Sequence, residues 1–171
     1  MKLFFSRLNC WNIVKNHCKT FYDNTTQQTS WIEIGITVAF IILLASVATC
    51  FHCLTKSVIE IMLTAFSILS GFLISALFLL VDKADKQKGK DFQIIKETIH
   101  NISFGILIGV FIIVLSLFFI LFKASTIETT FAFPTELRFF MSMIYFGLIV
   151  LFFHTMLIIL QRVNKIFNDI L

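Results

Sequence analysis

Cys50-Phe51-His52-Cys53 is the stretch whose residue types point to the most specific chemistry. A CxxC pair lowers the pKa of one thiol and lets it exchange with a disulfide. The imidazole between the sulfurs adds a metal donor, but a closed zinc site takes four ligands and this stretch offers three. Cys10, His17 and Cys18 make a second incomplete set. Neither set is expected to hold a metal, and no other cofactor is implied. His154, in Phe-Phe-His-Thr-Met, and Asn101, which follows His100, lie in long apolar runs. A polar or ionisable side chain in hydrocarbon is a candidate for function, because an apolar residue is cheaper there. The plainer alternative for His154 is a neutral ring hydrogen-bonded to a neighbouring helix. The chain has no glycine loop fit to cradle phosphate and no nucleophile–base constellation. No catalytic residue is assigned, and an enzyme is not expected.

The segments that carry these residues are membrane-like. Apolar residues make up 58% of the 171, phenylalanine occurs 22 times, and charged residues are 14%. Soluble domains carry about 25% charged residues. Backbone groups in lipid must be satisfied within the protein, so long apolar runs without alternation fold as helices. Four runs, at about 31–53, 58–81, 98–122 and 137–160, each exceed the ~20 residues that span hydrocarbon. The expected fold is therefore all-α, a polytopic membrane protein with a four-helix transmembrane bundle in residues 31–171. The short linker between the first two runs predicts a tight antiparallel hairpin. Residues 1–30 form an N-terminal segment and linker. On a helical wheel Phe4, Leu8, Trp11, Val14, Cys18 and Phe21 share a face, which predicts an amphipathic helix. That helix lies in the membrane interface or packs on the end of the bundle.

Small residues recur at four-residue steps in two of the runs: Ser67, Gly71 and Ser75 in the second, Asn101, Gly105 and Gly109 in the third. Such ridges let helices approach closely in lipid. Ser67, Gly71, Ser75, Gly105 and Gly109 are the expected packing residues, within one subunit or between subunits. Ser67, Ser75, Asn101 and His154 are the candidates to line or gate a water-filled path.

Charge sets the orientation. Eleven basic residues fall on one side: Lys2, Arg7, Lys15, Lys19, Lys83, Lys86, Lys88, Lys90, Lys96, Arg162 and Lys165. Lys56, Lys123 and Arg138 fall on the other. The rule that basic loops stay inside predicts both termini in the cytoplasm. The net charge of +4 is spread along span ends. That suits lipid headgroups, and no nucleic-acid partner is expected.

Two resemblances follow. The CxxC after the first span resembles the disulfide-bond oxidoreductases of the DsbB type, four-span proteins that pass electrons to quinone. The resemblance implies thiol–disulfide exchange at Cys50 and Cys53. That family has a second cysteine pair between its third and fourth spans, where residues 123–136 have none. The overall plan resembles the small four-span effectors of bacterial antiviral (anti-phage) defence systems. It does so in size, in Ser67-Ile-Leu-Ser-Gly-Phe72 and in the charged connector that follows. This implies a homo-oligomer in the bacterial inner (plasma) membrane that forms or gates a pore and perturbs membrane potential. Its partners would be the lipid bilayer and a soluble cytosolic regulator or ligand. The alternative expectations are an accessory subunit of a membrane complex and the oxidoreductase.

Overall fold

The computed structural model describes residues 10–19, 22–23, 28–29, 31–50, 55–84, 90–125 and 135–168. These form α1 (Cys10–Lys19), α2 (Trp31–Cys50), α3 (Lys56–Ala84), α4 (Lys90–Ser125) and α5 (Thr135–Asn168). A two-residue antiparallel ladder, Tyr22–Asp23 with Gln28–Thr29, lies between α1 and α2 in sequence. The fold is otherwise all-helical, a bundle of apolar helices as the sequence predicts. The rest of the CxxC, the capping pattern at Ser125–Glu128, Pro134 and the Phe4 and Leu8 end of the wheel lie outside the described residues.

Lys56–Ala84, Phe92–Leu121 and Phe139–Asn164 are long and apolar enough to cross a membrane, and Ile34–Cys50 is a shorter apolar helix. These helices make the chain a membrane protein. Two of them run well past the hydrophobic runs. The α4 helix has 36 residues and so extends about 54 Å, beyond the ~30 Å of hydrocarbon. It begins inside the basic connector because Ile94, Ile95 and Thr98 continue its packed stripe, with Ile95 and Thr98 buried.

The core lies between α3, α4 and α5. Phe66 of α3 meets Phe152 of α5 edge to face, with ring centroids 4.8 Å apart. Ile102, Ile108 and Ile112 of α4 complete the same cluster. Glycine brings these helices together. A Cβ at Gly105 would lie 3.2 Å from Leu73 Cδ1 and 3.8 Å from Thr155 Cγ2. A Cβ at Gly109 would collide with Ser70 Oγ and stand 3.3 Å from Phe152. The pairings Ser70 with Gly109 and Leu73 with Gly105 make α3 and α4 antiparallel. Ser116 with Tyr145 and Glu97 with Arg162 do the same for α4 and α5.

The first two apolar helices do not pack as the expected hairpin. The α2 helix packs on α5 and α3 packs on α4, so the order across the bundle is α3, α4, α5, α2. The contact that holds α2 is again between small residues: a Cβ at Gly147 would sit 3.9 Å from Ala45 Cβ. Ala45 and Thr49 are buried there, while Ile36, Phe40, Leu43 and Val47 stay exposed, as suits side chains against lipid.

Candidate functional site

At one end of the bundle α1 lies against α4. The helix is amphipathic, but the face it buries is not the expected one. Ile13 and Val14 pack on the core and His17 is 4% exposed. Trp11, 73% exposed, and Cys18 face outward with Lys15. Positions 11, 15 and 18 form one stripe and 13, 14 and 17 another. Imidazole took the buried stripe because α4 offers it a polar partner.

That partner is Asn101. His17 Nδ1 lies 2.8 Å from Asn101 Oδ1, and Asn101 is fully buried. The geometry suits an Nδ1–H that donates to the amide oxygen. One turn along α4, Phe104 stacks on the imidazole with centroids 3.9 Å apart and planes 15° from parallel. Burial pushes the His17 pKa down from 6.5 to about 4, against the opposing pull of the Asn101 hydrogen bond. The charge of Arg162 and that of His154 also lower it.

Arg162 of α5 completes the cluster. Its guanidinium Nη1 donates to Glu97 Oε2 at 2.8 Å, joining the start of α4 to the end of α5. The side chain of Arg162 is 18% exposed and that of Glu97 38%. Charge-assisted pairs of this length are strong when partly shielded from water. Thr98 and Thr155 are fully buried nearby on the same two helices, and each hydroxyl donates to a carbonyl one turn back, Ile94 O and Leu151 O. A second polar contact lies deeper in the bundle, where Ser116 Oγ and Tyr145 Oη are 2.8 Å apart and both residues are buried.

The four pore candidates therefore separate into two places. Asn101 and His154 belong to the end covered by α1, His154 half-buried on α5. Ser67 and Ser75 are exposed on the outer face of α3 and donate to their own helix, at Leu63 O and Gly71 O. Gly71 lies between them with nothing within 4 Å of its Cβ position. So within one chain the Ser67–Gly71–Ser75 ridge does not meet Gly105 and Gly109. Ser70, one residue round the helix, makes that contact instead. Its buried hydroxyl has no hydrogen-bond partner among the described residues.

His17 does not share a site with Cys10 and Cys18, since the ring is buried and both thiols are exposed. Cys50 is exposed at the end of α2. The His17–Asn101 contact, the Glu97–Arg162 pair and the Ser116–Tyr145 bond were not anticipated from sequence. For Glu97 and Arg162 there was a signal, opposite charges at the same end of adjacent antiparallel spans. No family model matches the chain, and no curated protein or solved structure is similar to it.

Proposed function

We propose that this chain is a membrane effector that acts as a homo-oligomer in the bacterial inner membrane. It forms or gates a pore, dissipates membrane potential and serves anti-phage defence, with both termini in the cytoplasm. The observation that carries the reading is the contact of α1 with the bundle. A short helix covers the buried Asn101 at one end of a mostly apolar assembly, the end where the partly exposed Arg162–Glu97 pair also lies. A cover of this kind offers two arrangements, docked and lifted, whose balance a soluble regulator can shift. The basic residues Lys83 and Lys96 and the residues of α1 lie toward this end, which supports a cytoplasmic position for it. The outer ridge Ser67–Gly71–Ser75 supports assembly, because small residues favour close contact between helices in lipid. The chain needs no cofactor and carries no catalysis in this reading.

The test is mass and conductance. The purified protein is weighed in detergent and then recorded in planar bilayers. The expected result is a symmetric oligomer that conducts, with open probability changed more than mass when residues 2–22 are deleted. A monomer that never conducts, even beside the product of a neighbouring gene, would instead favour an accessory subunit of a membrane complex.

A further inference from the structure

The contact of α1 with the bundle includes, beside Ile13 and Val14, a titratable ring whose surroundings are hostile to a cation. We propose that α1 is an acid-released lid: protonation of His17 lifts the helix from Asn101 and Phe104 and opens the polar end of the bundle. The inference deepens the gating reading and rests on it for the consequence of release, not for the release itself.

The geometry carries it. His17 is a polar anchor of α1 on α4, buried between the Asn101 amide and the Phe104 ring. The groups that act on it from α5 are Arg162 and His154, both of the same sign as an imidazolium when charged. On α4 the neighbouring titratable groups are Glu97 and His100, and Glu97 is engaged by Arg162. On α1 itself Lys15 lies on the outward stripe. A proton on His17 would leave the Nδ1–H bond to Asn101 in place. The added charge would still be buried and would feel the like charges of Arg162 and His154, which costs more than the neutral contact returns. Water relieves that cost when the helix moves.

The direction follows from the two protonation equilibria. An exposed imidazole titrates near 6.5, and the docked ring near 4. The lifted state therefore binds the proton more tightly. Docking has its full strength above about pH 6.5 and weakens as pH falls toward 4. At pH 5 the docking equilibrium is expected to be about 30-fold weaker than at pH 7.5.

Pulsed spin-label distances on the full chain in lipid nanodiscs test this. One label sits on the native Cys18 of α1 and the other on Gln161→Cys of α5, both exposed positions, with Cys10, Cys50 and Cys53 changed to Ser. A single short distance at pH 7.5 should give way to a longer, broader distribution at pH 4.5. His17→Phe keeps the stacked ring without the proton site, and its distances should not respond to pH. Unchanged distances in the His17 protein overturn the proposal, and so does an equal acid response in His17→Phe. Should His17→Phe fail to dock at pH 7.5, an NMR titration of His17 in the unaltered chain decides. A pKa held clearly below 6.5 supports the lid, and one near 6.5 overturns it. Because this readout needs no conductance, its failure is separate from failure of the pore reading.

Discussion

Gly109 and Gly71 have the same residue type and sit in equally regular small-residue ridges, yet they stand in opposite surroundings. Gly109 faces Ser70 and Phe152 at a point where a Cβ has no room, and Gly71 faces open space. Gly109→Leu is expected to destabilise the bundle by about 1–3 kcal/mol through overpacking. Gly71→Leu is expected to leave thermal unfolding of the subunit unchanged and, in the proposed oligomer, to lower the assembled mass. Unfolding curves and light scattering of the two variants in detergent separate these effects. The contrast also marks how far spacing reaches. A four-residue step says which residues share a face, and in lipid an apolar partner and a lipid tail leave the same composition on that face. Gly105 and Gly109 were therefore readable as a packing ridge, while the choice of Ser70 over Ser67 and Gly71 was not. Asn101 stood out as an amide in an apolar run. Its partner His17 lies 84 residues away on another helix, and no local pattern links them.

Among the helices, α2 and α1 are held more lightly than the central three. The α2 helix buries Ala45 and Thr49 and leaves most of its large apolar residues facing outward. Its hold depends on Gly147 admitting Ala45. Gly147→Leu is expected to loosen α2 from α5 while α3, α4 and α5 stay packed through Phe66 and Phe152. Amide exchange should then quicken in α2, by about tenfold for each 1.4 kcal/mol of lost packing, with little change in α4. Equal acceleration across α2 and α4 would mean that the bundle unfolds as one unit. The helices themselves were readable from apolar length. Their order was not, because a short linker constrains where two helix ends lie and not which neighbour each helix prefers. Tertiary choice fell to the small-residue contact on α5.

Over the whole molecule, the Glu97–Arg162 and His17–Asn101 contacts put the start of α4, the end of α5 and α1 at a common end. Single cysteines at the Lys86 and Asn168 positions should accordingly be labelled from one side of the membrane, and one at Thr129 from the other. Lys86 labelled together with Thr129 would overturn the arrangement. The helix order has a further consequence for synthesis. The α2 helix ends at Cys50 and α5, the helix it packs on, begins at Thr135. At ~5–20 residues per second the ribosome needs roughly 4–17 s to cover that interval. Through those seconds the first apolar helix waits in the bilayer without its partner, and α1 waits with it until α4 supplies Asn101. The nascent chain is thus most dependent on the insertion machinery before α4 emerges, when α1 and α2 have both been made and neither has its partner.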